Sequence, residues 1–389
     1  MPKYPRASPT IAAMVGSVYS SVAERVRRYD GELYPLHIGD TWMEPAEGCR
    51  MENLTVAEHP GMHRYSPPAG RKDLRRAIAG HTEERSGCAT TEDQVIICAG
   101  ATAALSTAVG ALVDPGEEVL IMAPYWPLIA GMVRAFRATP VPVPFFAGDD
   151  LPANAEEAVE AFRSRCTDRT VALYVNTPHN PSGKVLPAEW ARAIVEWAAS
   201  EDLWVISDEV YEEFVYAGEH TPLRPMDPER VITSQSFSKA YGMTGNRCGY
   251  LVGPAEALAE CKKIGTDTYY CAPTASQLAA VEALAGPGQE WARTARERYA
   301  ELGRAAAAKL GVPTPEGSTF FFVDVSEQLD FEQEDPLLGF LERCADRGLL
   351  VAPGPSFGPY PHHVRVCFTS AEPEVVLRGF DVLAELLAS

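Results

Sequence analysis

Positive charge is scarce in this sequence, and lysine scarcer still. Lys and Arg number 34 against 53 Asp and Glu, a net charge of −19, and only seven residues are lysine. So acidic a chain repels phosphate backbones and anionic lipid. The acidity therefore argues against nucleic acid or anionic membrane as a partner and favours small-molecule chemistry. No apolar run approaches the length of a membrane span, and residues 1–6 lack the apolar core of a signal peptide. The nine cysteines are odd in number, contain no Cys-x-x-Cys, and in several cases sit inside apolar runs as small hydrophobes. Neither a disulfide framework nor a zinc site is expected, which points to the reducing cytoplasm. Also missing are the Rossmann Gly-x-Gly-x-x-Gly and the Walker P-loop, so nucleotide-binding readings lose ground. There is no internal repeat or low-complexity tract.

What is present is an ordinary globular composition, 46% apolar and 22% charged over 389 residues, enough for two domains or one large one. From Gln94 onward, short apolar runs alternate with helical patterns: Val95 to Ala99, Val119 to Ala123, Val171 to Val175, Leu203 to Ser207, Val231 to Thr233 and Tyr250 to Val252. Helices are expected between them, from Ala103 to Val113, through Met132 and Phe136, and from Ala188 to Ala199. Such an order predicts an α/β fold with a mostly parallel sheet covered on both faces. After about Gly286 the pattern becomes a long helix (Glu290 to Leu310), a strand (Thr319 to Val325), a helix, a strand (Val364 to Phe368) and a final amphipathic helix. This reads as a smaller α+β domain completed by the N-terminal segment, itself carrying a helix-like stretch from Ser17 to Arg28. The boundaries are 47–287 for the large domain, and 1–46 with 288–389 for the small one.

The chemistry-bearing residues cluster where strands end. Gly100-Ala101-Thr102 opens a helix, where backbone N–H groups and a hydroxyl make a natural phosphate cradle. Tyr125-Trp126 follows the next strand, where an aromatic could stack on a flat ring or merely fill the core. Asn176-Thr177-Pro178-His179-Asn180-Pro181-Ser182-Gly183 is a rigid turn at the ligand-binding edge of an open sheet. Asp208 ends an apolar run and needs a partner, either a protonated heterocyclic nitrogen or a helix N-terminus that it caps. Tyr211 lies three positions further. Lys239 stands among Ser236, Ser238 and Arg247, where desolvation and neighbouring cations would lower its pKa and free its amine for Schiff-base chemistry. Arg365 is a lone charge in an apolar strand, suited to a substrate carboxylate or to a structural ion pair.

Taken together, these motifs resemble the fold-type I pyridoxal-phosphate aminotransferases of class I/II, the aspartate aminotransferase superfamily, from about Gly39 to Phe368. The resemblance implies a seven-stranded, mostly parallel sheet and pyridoxal 5'-phosphate as cofactor. It makes Lys239 the covalent anchor and proton carrier, and Asp208 the partner of the pyridine nitrogen. Asn180 and Tyr211 would bond the ring's 3-oxygen, and Trp126 would stack on the ring. Ala101, Thr102, Ser236, Ser238 and Arg247 would hold the phosphate, joined by Tyr65 from the other subunit of a homodimer with shared active sites. Arg365, with Gly39 and Asn180, would bind the substrate carboxylate. The implied reaction is ping-pong transfer of an amino group from an amino acid to a 2-oxo acid. A lyase or synthase using the same equipment is the alternative. Some bacterial aspartate aminotransferases carry a lysine where this chain has Thr102. Trp42, Tyr269 and Tyr270 fall in pocket-bordering segments of relatives. Both features favour a neutral or aromatic substrate side chain.

Overall fold

Val119 and Ile121 pack into one apolar core while Leu120 and Met122, between them on the same strand, pack into another. Successive side chains of a strand point to opposite faces, so this run can only belong to a sheet covered on both sides. In the computed structural model, which describes residues 8–12 and 22–389, that sheet has seven strands. They are β1 (Val95–Cys98), β2 (Glu118–Ala123), β3 (Thr139–Pro144), β4 (Thr170–Asn176), β5 (Trp204–Asp208), β6 (Val231–Ser236) and β7 (Gly249–Val252), in the order β1-β7-β6-β5-β4-β2-β3. Strands β3, β2, β4, β5 and β6 pair in parallel, and β7 runs antiparallel between β6 and β1. The helices Gly100–Leu112, Pro127–Ala135 and Ala255–Thr268 supply one covering layer, and Ala155–Arg163 and Ala188–Ser200 the other.

Three elements of the large sheet and its covering layers are absent from the sequence reading: strand β3 and the helices Ala155–Arg163 and Ala255–Thr268. Strand β3 is Thr-Pro-Val-Pro-Val-Pro, whose prolines cannot donate to a ladder; it is tolerated because it lies at the sheet's edge. The helix Ala155–Arg163 starts where Asn154 accepts a hydrogen bond from the Glu157 N–H at 3.0 Å. Other expected boundaries shift by a few residues. The helix assigned from Ala103 begins at Gly100, that from Glu290 at Gly286, and β6 continues beyond Thr233 to Ser236.

A second, antiparallel sheet holds β8 (Phe320–Asp324), β9 (Ala352–Pro353) and β10 (His363–Cys367) in the order β8-β10-β9. Its core joins Phe320, Val364 and Phe368 to Tyr299 of the helix Gly286–Leu310 and to Phe380 and Leu383 of the helix Pro373–Leu387. Val22 and Leu36 share this core, and Tyr34 bridges to Leu349, so the start of the chain packs with its end. Of the helix expected from Ser17 to Arg28, residues 17–21 lie outside the described residues; the rest contains the helix Ala23–Arg28. Among the described residues no helix is long and apolar enough to cross a membrane.

Candidate active site

The carboxyl ends of β2, β4, β5 and β6 share one edge of the large sheet, and the loops beyond them surround a cavity of about 330 Å³. Open α/β sheets bind ligands at this edge, and the volume suits a small cofactor with its substrate. Ala101 and Thr102 line it from the start of the helix after β1, Trp126 from beyond β2, and Asn176 and Asn180 from β4 and the turn after it. Asp208 enters from the tip of β5, followed by Val210 and Tyr211, and Ser236, Ser238 and Lys239 from β6 and the short helix Phe237–Ala240. Arg247 approaches ahead of β7; Gly39, Phe320 and Arg365 close the cavity from the small sheet's side.

Local chemistry sets each position. The Ser236 side chain accepts the Ser238 N–H at 3.0 Å and so caps the helix that carries Lys239. Lys239 Nζ donates to the Gly39 carbonyl, tying β6 to the N-terminal segment. Burial pushes the Lys239 ammonium below its usual pKa; nearby Asp40 opposes this, and Arg365 and Arg247 reinforce it. Arg247 adopts a left-handed backbone (φ 53°) and packs on Gly100, whose own φ is +82°. A Cβ on Gly100 would lie 2.5 Å from Arg247 Nη2, so only glycine lets the guanidinium close over the helix N-terminus.

Asp208 is buried, and burial raises its carboxyl pKa to about 6. The Tyr174 hydroxyl donates to its Oδ2 at 2.6 Å, and the Val210 N–H approaches Oδ1 at 3.4 Å, both favouring the ionised form. The residues after Asp208 form a turn, so it caps no helix. Asn176 Nδ2 donates to the Asp208 carbonyl at 2.8 Å and Asn176 Oδ1 accepts the Asn180 N–H at 2.7 Å, which locks the turn that presents Asn180. Tyr211 is buried edge-on to Phe320, ring centroids 5.7 Å apart, and burial raises its hydroxyl pKa. Arg365 stacks on Phe320 and Phe357, its Cζ 4.4 Å and 4.8 Å from their ring centroids. It donates to Asn180 Oδ1 at 3.1 Å and to the His37 carbonyl at 2.7 Å.

The donor set fits pyridoxal phosphate. A buried carboxylate faces a site that also holds a desolvated lysine. A helix start bearing the Thr102 hydroxyl, with an arginine closed over it and Ser236 and Ser238 lining the same cavity, offers a phosphate cradle. Twelve of the thirteen residues singled out from sequence line this one cavity; the exception is Tyr65, which is 84% exposed and stacks edge-on with Tyr270 at 5.0 Å. Tyr125 is buried and turned away, so Trp126 is the aromatic that the cavity receives. Trp42 packs against Tyr299, and Tyr269 joins the core beneath the helix Gly100–Leu112; neither of these nor Tyr270 lines this cavity. Sequence reasoning missed Leu105, Leu128, Val210, Thr244 and Phe320. Phe320 left no signal along the chain, since its place under Arg365 comes from the pairing of β8 with β10.

A family model described as aminotransferase class I and II matches residues 35–381. Over 372 residues the chain is 33% identical to a probable aspartate/prephenate aminotransferase of Thermus aquaticus, with 94% of each chain covered. Over 371 residues it is 36% identical to an arginine–pyruvate transaminase of Pseudomonas aeruginosa, covering 92% of this chain and 91% of that one. A solved double mutant of Thermus thermophilus aspartate aminotransferase superimposes with a TM-score of 0.86 at 29% identity, covering 98% of this chain and all of the other.

Proposed function

The chain belongs to the class I and II aminotransferases, a pyridoxal-phosphate-dependent family, and from that premise we propose that it takes the amino group from an L-amino acid with a neutral or aromatic side chain. A 2-oxo acid receives it in a separate half-reaction. The observation that carries this reading is the convergence of Asp208, Lys239, Arg247 and Arg365 on one cavity. Bound pyridoxal phosphate supplies an aldehyde for the amino group and a protonated ring that draws electrons from the substrate's Cα.

Lys239 anchors the cofactor and then, its pKa lowered by burial, uses Nζ to take the Cα proton and return it. Asp208 holds the proton on the ring nitrogen. Asn180 and Tyr211 would hold the ring's 3-oxygen, and Trp126 would stack on the ring. Ala101, Thr102, Ser236, Ser238 and Arg247 bind the phosphate. Arg365 binds the substrate carboxylate with a guanidinium held over the Phe320 and Phe357 rings, assisted by Gly39 and Asn180. These roles engage Lys239, Arg247 and Arg365, which are the cavity's cations among the described residues. None is then left in this protomer for a second carboxylate, which supports the neutral side chain even though relatives are named for aspartate and for arginine.

The two units are read as 47–287, binding the cofactor, and 1–46 with 288–389, carrying Arg365. The working form is read as a homodimer in which Tyr65, outside its own cavity, reaches the phosphate of the other subunit. A cytoplasmic role in amino-acid biosynthesis accords with the nine free cysteines. A panel of amino acids, each added alone to the yellow enzyme, tests the activity. One 2-oxo acid released per site, without a second substrate, is expected for neutral or aromatic amino acids. Ammonia release at steady turnover would overturn transamination, and preference for aspartate would overturn the side-chain reading.

A further inference from the structure

Behind Asp208, on the side away from the cavity, stands a residue that none of the roles above uses. Tyr174 lies on β4 two positions before Asn176, and β4 pairs in parallel with β5 so that Tyr174 faces Ile206 and Asn176 faces Asp208. Side chains two apart on a strand share a face, so Tyr174 is the diagonal neighbour of Asp208, within reach of a long aromatic side chain. The Tyr174 ring is fully buried in the core that contains Ile206 and Ile121. Its hydroxyl, the one polar atom it brings into that core, donates to Asp208 Oδ2 at 2.6 Å.

We propose that Tyr174 is the positioning residue of the cofactor site: by occupying Oδ2 of Asp208 from behind, it turns Oδ1 toward the cavity and the ring nitrogen. The other donor to the carboxylate, the Val210 N–H, sits at 3.4 Å and is too long to hold it alone. Asn176 fixes the Asp208 backbone through its carbonyl, which leaves the rotation of the carboxylate to Tyr174. A phenol suits this place. Its ring fills apolar space, whereas an ionic partner would neutralise Asp208 and compete with the cofactor for it. Burial strongly raises the Tyr174 hydroxyl pKa, so it stays a donor across the working pH range. Glu209 and Tyr211 act on the same carboxylate, and Lys239, Arg247 and Arg365 share the cavity with it. Of these groups, Tyr174 alone hydrogen-bonds its side-chain oxygen.

The proposal rests on Asp208 meeting the cofactor's ring nitrogen, and its test separates the two ideas. Tyr174→Phe keeps the ring and removes the donor. In the cofactor-free protein, infrared titration of the Asp208 carboxylate, identified by its loss in Asp208→Asn, should show a pKa raised by about one unit or more. That readout needs no cofactor. In the loaded enzyme, pyridoxal phosphate should bind roughly tenfold or more weakly. The pH dependence of its absorbance should move, and kcat should fall more than KM rises. In the Asp208→Asn background, Tyr174→Phe should then change affinity no further. An unchanged carboxylate titration in Tyr174→Phe, or an equal loss of affinity in both backgrounds, overturns the positioning role. A raised carboxylate pKa with unchanged cofactor affinity and spectrum leaves Tyr174 on Asp208 but overturns Asp208 as the ring's partner. A 3-fluorotyrosine at position 174, a stronger donor of nearly the same shape, should move the carboxylate pKa the opposite way. No shift with that variant likewise overturns the proposal, even where Tyr174→Phe fails to fold.

Discussion

Arg365, on β10 of the small sheet, donates from Nη1 to Asn180 Oδ1 on the turn beyond β4 of the large one, 3.1 Å away. The bond joins two residues that line the same cavity, the group read as the carboxylate clamp and one read as a ring contact. Phe320 and Phe357 hold the guanidinium beneath, so its plane is set before any substrate arrives.

That pre-set plane is what Arg365→Lys would lose. The ammonium keeps the charge but gives up the fork and the stacking. A loss of about 1.5–3 kcal/mol in carboxylate binding is expected, the range for hydrogen bonds to charged groups. Steady-state kinetics should show KM for the amino acid and for the 2-oxo acid rising together, by roughly 10- to 100-fold. A change confined to one of them would refute a shared clamp.

Gly100→Ala tests the phosphate cradle. The backbone there has φ +82°, and the new methyl would meet Arg247 Nη2 at 2.5 Å. About 1–2 kcal/mol of strain is expected from the left-handed backbone alone. The displaced guanidinium should weaken pyridoxal phosphate by roughly tenfold. Absorbance titration of the cofactor and thermal unfolding of the cofactor-free protein measure the two effects separately.

Asp208 gives the cofactor-free protein a pH signature. Its folded pKa of about 6 lies above the ordinary 3.8. Below 3.8 both states are protonated and the group contributes nothing. Between 3.8 and about 6 the unfolded chain releases the proton first, so stability falls as pH rises through that window and stays lower above it. The loss is about 3 kcal/mol, and Asp208→Asn should abolish it. His37 and His179 act oppositely. Burial lowers them to about 4 and 3, so they destabilise the fold as pH drops below 6.5. The difference between wild-type and Asp208→Asn in urea unfolding, at pH 4 and pH 7, isolates the carboxylate.

The proposed sharing of sites between subunits predicts complementation. Lys239→Ala should lower turnover at least about 10³-fold, since it removes both the anchor and the proton carrier, and Tyr65→Ala should weaken the cofactor. Mixed dimers of the two variants contain one site with an intact Lys239 and the other subunit's intact Tyr65. Mixing and re-forming the dimers should therefore restore wild-type cofactor affinity to up to one site in each hybrid. Activity equal to the sum of the separate variants would refute a Tyr65 contribution across subunits.

The sequence by itself determined where the large sheet's main strands fall along the chain, the lysine, and the turn and carboxylate motifs around it. Those signals are local: an apolar run of strand length, a turn of Pro, Asn and Gly, or a charge with no company in an apolar stretch. Lys239 stood out by the hydroxyls and the arginine near it in sequence, and Arg365 as a lone charge in an apolar run. Strand β3 did not, because its prolines deny the usual strand pattern and only its edge position permits them. Tertiary structure also chose Trp126 over Tyr125, left Trp42 and Tyr269 outside the cavity, and slid Phe320 beneath Arg365. Tyr174 is the sharpest case. Within its own strand it reads as one more apolar position, and its hydroxyl acquires a purpose only from Asp208, 34 residues away in sequence. The parallel register of β4 on β5 brings them together, and that register is set by helices packing on both faces of the sheet rather than by any neighbour along the chain.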